Sequence, residues 1–193
     1  MTLKNRGFTL VELLITLAIM SVIVLTVSSI YIKVAKINRE QAELQSLRTS
    51  CRLHTKEINT LILQGFQIEQ GPIVINEVSH SSSSSKIIIS LISLDASNNY
   101  RYQVGDVPYL DYAIYWTSGG DLYEQIYAAN SDQTKRKTVA AHKIDSGASL
   151  AFTYTPSLAS AKSVTTNLTL SRDIPGKTLS SNYELTAIMR NKE

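Results

Sequence analysis

The apolar positions of this chain follow three different patterns, one after another. Residues 8–32 are almost continuously apolar, and fifteen of these twenty-five residues are Leu, Ile, Val or Phe. An α-helix of this length spans about 37 Å, which exceeds the ~30 Å hydrocarbon core of a bilayer. The first pattern therefore predicts a membrane-spanning helix.

The second pattern, over residues 33–64, has the 3.6-residue period of an amphipathic helix. No glycine or proline interrupts the chain between Ile30 and Gly65. We therefore expect one continuous helix from about Thr9 to about Leu63, with its second half packed on a folded domain. The apolar stripe of that half comprises Val34, Ile37, Leu44, Leu47, Cys51, Ile58, Leu61 and Ile62.

The third pattern, over residues 65–193, alternates with the period of two that is typical of β-strands. A run of five serines at 81–85 indicates a surface loop, and Gly119-Gly120 indicates a hairpin. We predict an α+β fold with one antiparallel sheet of roughly six to eight strands, one face on the helix and the other partly in water. Strands are expected at 73–75, 86–94, 100–104, 109–116, 122–128, 150–155, 164–171 and 183–190.

Composition limits the function without identifying it. The formal net charge is +3 and charged residues make up 18% of the chain, a balance that does not indicate a nucleic-acid partner. Cys51 is the only cysteine, so no intrachain disulfide is expected. The three histidines are scattered, and no zinc site is predicted. Without a phosphate-binding glycine loop or a nucleophile elbow, we predict neither a cofactor nor an enzyme.

Four carboxylates lie close together in the sequence. Two of them would serve a glycosidase, and several would serve a calcium loop, but the sequence lacks the surrounding motif of either site. We interpret them as solvated loop residues. They are Asp106, Asp111, Asp121 and Glu124.

One ionisable side chain, Glu12, lies within residues 8–32. A carboxylate near the start of a membrane helix is costly, and it requires a compensating partner. Glu12 stands four residues after Phe8, and Gly7 precedes Phe8 at the end of a short basic leader. This register of Gly7, Phe8 and Glu12 closely resembles the prepilin signal of type IV pilins and of the related pseudopilins.

The resemblance implies that a prepilin peptidase cuts the chain between Gly7 and Phe8, and that Phe8 is then N-methylated. It also implies that Glu12 guides assembly by pairing with the Phe8 ammonium of a neighbouring subunit. The implied architecture is pilin-like, with a long helix on an antiparallel sheet. The expected segments are a leader at 1–7, a transmembrane or filament-core half-helix at 8–32, an amphipathic half-helix at 33–64 and a β domain at 65–193.

The function implied by this resemblance is that of a non-catalytic minor subunit at the tip or in the initiation complex of a type IV pilus, or of a secretion or competence pseudopilus. The order of elements resembles the wide minor members, the J-type pseudopilin and the W-type minor pilin. The implied partners are other pilins, the prepilin peptidase and the assembly platform of the inner membrane. The alternative is an uncut, single-pass membrane-anchored adhesin or binding protein that does not polymerise.

The resemblance also implies a location. The precursor would cross the bacterial cytoplasmic membrane once, with its C-terminal domain outside the cytoplasm. The processed subunit would then enter a periplasmic or extracellular filament.

A second candidate site is basic. Lys135, Arg136 and Lys137 form the densest cluster of positive charge, and Lys143 lies nearby. Two interpretations stay open. The cluster is either a solvated hairpin loop or a surface that captures DNA or an acidic partner by electrostatic attraction.

Overall fold

The computed structural model describes residues 9–75, 77–128 and 130–189. In these residues one helix, α1 (Leu10–Gln64), precedes ten β-strands and a short 3₁₀ turn at Leu158–Ser160. The strands are β1 (Gln67–Ile68), β2 (Ile73–Ile75), β3 (Val78–His80), β4 (Lys86–Ile92), β5 (Leu110–Ser118), β6 (Asp121–Tyr127), β7 (Val139–Ser146), β8 (Ala148–Thr155), β9 (Ser163–Ile174) and β10 (Lys177–Ile188).

The chain divides into two compact units, the first ending at Glu43 and the second beginning at Leu44. The first unit contains the described residues 9–43, and none of them is buried. Its most apolar 18-residue stretch has a mean hydropathy of 2.6, so α1 is long and apolar enough to span a membrane. The observed ends of α1 lie within one residue of the predicted ends.

The strands of the second unit form three antiparallel sheets. Their orders are β1-β4-β5-β6-β7, β10-β9-β8 and β2-β3. The predicted fold class, α+β with a long helix on antiparallel strands, is confirmed. The prediction of a single sheet is wrong, because the strands that were expected to be neighbours are divided between two larger sheets and a hairpin.

The chain passes from the five-stranded sheet to the three-stranded sheet at Gly147. This residue has a φ of 66°, and an added Cβ would lie 1.9 Å from the carbonyl oxygen of Ser171. The Ser171 N–H donates to the Gly147 carbonyl at 2.7 Å. Only glycine combines this backbone conformation with so close an approach, so Gly147 allows β7 and β8 to enter different sheets.

One hydrophobic core joins the second half of α1 to both larger sheets. From the helix, Leu47, Cys51, Ile58 and Ile62 enter this core, each at most 1% exposed. The alternation of β4 to β6 and of β8 to β10 supplies the opposite wall. That wall includes Ile87, Ile89, Leu91, Ala113, Tyr115, Leu122, Leu150, Phe152, Val164, Leu168, Leu170 and Leu179.

The apolar stripe that was predicted for α1 enters the core only from Leu44 onward. Val34 and Ile37 are 47% and 52% exposed, and both belong to the first unit. Thr55, which the apolar pattern did not select, is fully buried on the same stripe. Its hydroxyl donates to the Cys51 carbonyl at 2.8 Å, and this bond allows a polar side chain to occupy a core position.

The far face of the five-stranded sheet is covered in part by the β2-β3 hairpin. Ile75 of the hairpin packs on Ile88 and Ile114, and all three side chains are buried. The face that was expected to be partly wet therefore holds a second, smaller apolar cluster.

Two further strand predictions need correction. Residues 100–104 form no strand, because only the single bridges Leu94 to Tyr100 and Tyr102 to Pro108 pair this loop. Strand β7 was not predicted, since its sequence lacks a clear alternation of apolar and polar residues. The hairpin at Gly119-Gly120 between β5 and β6 is confirmed, with φ values of 60° and 80°.

We expect Gly147→Ala to lower the free energy of unfolding by at least ~3 kcal/mol, because it combines left-handed backbone strain with a collision against the Ser171 carbonyl. Gly176→Ala is the matched control. Gly176 has a φ of 89°, but no atom lies within 4 Å of an added Cβ, so only the backbone cost of about 1 kcal/mol should remain. Urea unfolding of the full chain in lipid nanodiscs measures both values, and equal losses would contradict this account of the sheet junction.

Candidate functional site

The predicted processing site, Gly7 and Phe8, comes just before α1 in the sequence. Gly7 and Phe8 are outside the described residues, so their roles stay predictions. Glu12 is in the first turn of the helix, where its carboxylate Oε2 accepts bonds from the Thr9 N–H at 2.9 Å and the Thr9 hydroxyl at 3.0 Å. The Glu12 N–H donates back to the Thr9 Oγ1 at 3.3 Å.

These reciprocal bonds form a capping box, in which Thr9 is the N-cap and Glu12 is three residues later. The Thr-x-x-Glu spacing at 9–12 is the ordinary sequence signal of this motif, which was not among the predicted features. The box gives the Glu12 carboxylate two donors within its own chain and places its negative charge at the positive end of the helix dipole. The carboxylate is therefore stabilised and still exposed to a partner.

Four hydroxyl side chains in the apolar half of α1 are satisfied by the helix itself. The hydroxyls donate to backbone carbonyls three or four residues earlier, at 2.7–2.8 Å. Such bonds let hydroxyl groups enter a hydrocarbon environment without an unpaired donor. The residues concerned are Thr16, Ser21, Thr26 and Ser29.

The basic cluster divides into one half-buried arginine and two exposed lysines. Arg136 Nη1 donates to Asp111 Oδ2 at 2.7 Å and to the Ile92 carbonyl at 3.0 Å. The Asp111 side chain is completely buried and also accepts from the Ser131 hydroxyl and from the Asn130 N–H. Arg136 thus neutralises a buried carboxylate and fixes the loop before β7 on the end of β5.

The remaining cations of the cluster lie on the surface. Lys135 and Lys137 are exposed in the loop, whereas Lys143 on β7 lies 3.5 Å from Asp121. DNA or an acidic surface would therefore meet Lys135 and Lys137, and the binding role stays a prediction. A binding test of this loop should replace those two lysines and leave Arg136 in place.

The four clustered carboxylates do not share one environment. The solvated-loop interpretation is wrong for Asp111 and for Glu124, which is 8% exposed and accepts a bond from the buried Tyr115 hydroxyl. Asp106 is exposed and Asp121 is half-buried. Within the described residues, no group of three or more His, Cys, Asp or Glu side chains is arranged to hold a metal ion.

An ionisable cluster lies between α1 and the strands β6 and β7. His54 Nε2 lies 3.4 Å from Asp145 Oδ2, and its Nδ1 lies 3.9 Å from Glu57 Oε2. Burial and the nearby Glu124 carboxylate raise the pKa of Glu57. Burial and the bond to Glu124 also raise the pKa of Tyr115, which stays a neutral donor. These groups close the polar edge of the helix-sheet packing.

The site and the fold together define a class of protein. An exposed apolar half-helix with a capped carboxylate in its first turn precedes a domain in which antiparallel sheets pack on the second half of the same helix. This arrangement is pilin-like.

The comparison with known families agrees with this class. A model of the prokaryotic N-terminal methylation motif matches residues 2–28, which indicates a prepilin signal of the type IV pilin and pseudopilin type. The motif is typical of structural subunits that a prepilin peptidase processes. No curated protein and no solved structure matches the chain.

We expect Arg136→Ala to lower the free energy of unfolding by about 3 kcal/mol, because it leaves the Asp111 carboxylate buried without its counter-ion. Lys135→Ala, the matched control one residue away, should change it by less than ~0.5 kcal/mol. Urea unfolding followed by circular dichroism measures both changes. A loss below 1 kcal/mol for Arg136→Ala would show that the ion pair does not fix this loop.

Proposed function

We propose that the protein is a minor pilin or pseudopilin subunit. A prepilin peptidase cuts it between Gly7 and Phe8, and it then polymerises through α1. One observation carries the proposal. The matched methylation motif, residues 2–28, extends into an exposed apolar helix. The first turn of this helix contains Glu12, four residues after Phe8.

The exposed apolar surface of α1 supports insertion of the helix in a bilayer and its later packing in a filament. Between Leu10 and Ile32 every large apolar side chain is at least half exposed. A continuous apolar surface of this size requires an apolar environment. The bilayer supplies it before assembly, and the helices of neighbouring subunits supply it afterwards.

Glu12 gives the assembly its axial register in this proposal. Its carboxylate is held by Thr9 at the helix start, where the new ammonium group of a neighbour's Phe8 can add an ion pair. In a medium of low dielectric constant, such a pair is strongly favoured over two isolated charges. Subunits that enter out of register leave both charges unpaired.

A minor position is supported by the state of Cys51. Major pilins commonly carry a C-terminal disulfide loop, whereas the only cysteine here is buried in the core and its thiol donates to the Leu168 carbonyl at 3.0 Å. The subunit would act at the tip or in the initiation complex of a pilus, a secretion pseudopilus or a competence pseudopilus, as wide J-type and W-type members do. Its partners would be other pilins, the peptidase and the inner-membrane assembly platform.

Cleavage is tested at the peptide bond itself. The mature protein from native membranes should begin with N-methylated Phe8, and Gly7→Val should leave residues 1–7 attached because a branched side chain enlarges the position before the cut. Gly71→Ala is the control, since Gly71 lies in open space. Intact mass spectrometry distinguishes the products. Wild-type protein that retains Met1 would support the uncut, membrane-anchored adhesin instead.

The assembly role of Glu12 is tested after cleavage. Glu12→Gln should still yield a chain that begins at Phe8, but its incorporation into sheared filaments should fall at least ~tenfold, because the loss of one buried ion pair exceeds 1.4 kcal/mol. Glu77→Gln removes the same charge at an exposed turn and should assemble normally.

Thr9→Val separates assembly from capping. It removes the hydroxyl that bonds Glu12 and leaves the carboxylate charge in place. If Thr9→Val reduces incorporation as much as Glu12→Gln does, Glu12 acts as a helix cap and the proposed pairing with Phe8 is wrong. Immunoblots of the filament fraction measure each variant against its cell content.

A further inference from the structure

The two larger sheets end in four edge strands, and three of these edges are protected. Strand β1 has only two residues. Strand β7 pairs with β6 through register shifts and carries a lysine and an aspartate. On β8, the N–H groups of Ala148 and Phe152 donate at 2.7 Å to backbone carbonyls outside the three-stranded sheet. Short strands, bulges, charges and covered backbone are the means by which proteins prevent a sheet from adding another strand.

The fourth edge, strand β10, has none of these protections. Its 12 residues pair with β9 in one unbroken register. No proline or glycine interrupts it, and Glu184 is the only charged residue between Thr178 and Ile188. In the part of the chain that the structure describes, no strand lies beyond β10. A long, regular edge of this kind is a template for a further strand.

The backbone of β10 alternates between groups that face β9 and groups that face away from it. Just after the strand, the Met189 N–H donates to the Lys162 carbonyl at 2.9 Å, which places the odd-numbered residues on the β9 side. In an antiparallel ladder the residues between them direct their N–H and C=O groups to the opposite side. Every second residue of β10 therefore presents its backbone to the open edge. These residues are Thr178, Ser180, Asn182, Glu184, Thr186 and Ile188.

The inner face of β10 is less covered than the inner face of its neighbour. On β9, Thr166 and Leu168 are completely buried. Their cross-strand partners on β10, Leu185 and Tyr183, are only half-buried. The core layer thus ends at β10, and the apolar side chains of an added strand would cover the free sides of Leu185 and Tyr183.

The outer face of β10 is polar and carries one negative charge. The Asn167 amide donates to the Glu184 carboxylate at 3.0 Å, and the Asn182 amide donates to Asn167 at 2.7 Å. Glu184 is exposed, and within the described residues it forms no ion pair. A cationic side chain opposite Glu184 on an added strand would compensate this charge.

We propose that β10 is an interaction edge to which an extended segment of a different protein adds as an antiparallel strand. Apolar residues of that segment cover Tyr183 and Leu185, and a Lys or Arg on its polar face lies opposite Glu184. Backbone hydrogen bonds provide the affinity, and the two side-chain layers provide the register. The edge contains no residue assigned to processing or assembly, so it would exist whether or not the chain is cut after Gly7.

A second copy of this chain is not the proposed occupant. Its other edges are protected, so a second copy would have to add through its own β10, around a two-fold axis perpendicular to the sheet. The buried residues of α1 extend from Leu47 to Ile62, so this part of the helix lies along the sheets. Such an axis reverses the direction of this helix segment in the second copy, whereas copies inserted in one membrane from one side run in the same direction.

Backbone methylation tests strand addition directly. The probe is the peptide Thr-Ile-Thr-Val-Lys-Val-Thr-Ile-Thr, with fluorescein at its N-terminus and methyl groups on the backbone nitrogens of both valines. In the proposed register its lysine lies opposite Glu184, and the valine nitrogens point away from β10. An isomer carries the same methyl groups on the nitrogens of its third and seventh residues, which point towards β10.

Fluorescence anisotropy measures both peptides on the full chain in lipid nanodiscs, and empty nanodiscs measure their binding to lipid. We expect the probe to bind saturably to the protein. The isomer should bind at least ~tenfold more weakly, because two backbone hydrogen bonds are lost.

A proline at position 186 tests the edge from the side of the protein. Thr186→Pro removes an N–H that points to the open edge and leaves the bonds to β9 in place, as proline does in edge strands. It should weaken binding of the probe at least ~tenfold, because a backbone bond is replaced by a collision. Thr186→Ala is the matched control. It also loses the side-chain bond to Thr165, but it keeps the N–H and should bind as the wild type does.

Glu184→Lys tests the register and leaves the backbone unchanged. This variant should bind the probe about threefold more weakly, because an exposed cross-strand ion pair contributes modestly. It should prefer an analogue of the probe that has glutamate in place of lysine, whereas the wild type should prefer the probe.

Three results would overturn the proposal. The first is anisotropy that stays at the level of empty nanodiscs up to millimolar protein. The second is equal affinity for the two methylated isomers, equal affinity of Thr186→Pro and Thr186→Ala for the probe, or a charge preference that Glu184→Lys does not reverse. The third is a wild-type chain that dimerises in detergent micelles while Thr186→Pro stays monomeric, since the occupant would then be a second copy of this chain.

Discussion

The packing of the second half of α1 against two sheets is the interaction on which the folded domain depends. Most of the stability of an amphipathic helix such as residues 44–64 comes from the apolar face that it packs against the rest of the domain, not from helix propensity. Leu47, Ile58 and Ile62 are completely or almost completely buried. At about 1.5–3 kcal/mol for each large side chain, they contribute roughly 5–9 kcal/mol, which is comparable to the whole stability of a small domain.

The core that encloses this part of the helix takes its other side chains from both larger sheets. At Gly147 the chain passes from the five-stranded sheet to β8, β9 and β10, which supply their part of the core wall. The Cys51 thiol donates to the β9 backbone at Leu168. The packing of the helix therefore depends on both sheets and on the turn that joins them.

The sequence predicted well the features that depend on neighbours along the chain. The ends of α1, the hairpin at Gly119-Gly120 and the strands β8 to β10 follow from local periodicity and from glycine positions. The resemblance at Gly7, Phe8 and Glu12 also rests on a short register, and the matched methylation motif at residues 2–28 includes it.

Features that depend on distant residues were not predictable in this way. Gly147 matters because Ser171 approaches it, and Arg136 is structural because Asp111, twenty-five residues earlier, is buried beneath it. In the sequence, both positions look like ordinary loop residues.

The boundary at Leu44 has a consequence for how such a subunit could move from a bilayer to a filament. Every helix residue of the core comes from Leu44 or later, so the core is complete without the apolar half of α1. Replacing lipid by neighbouring helices around residues 10–32 therefore exchanges one apolar environment for another and leaves the core intact. Because lipid and helix surfaces are similarly apolar, hydrophobicity alone cannot choose an axial position. In the proposed assembly a charged group makes that choice, and Glu12 is the one acidic or basic side chain in residues 10–32.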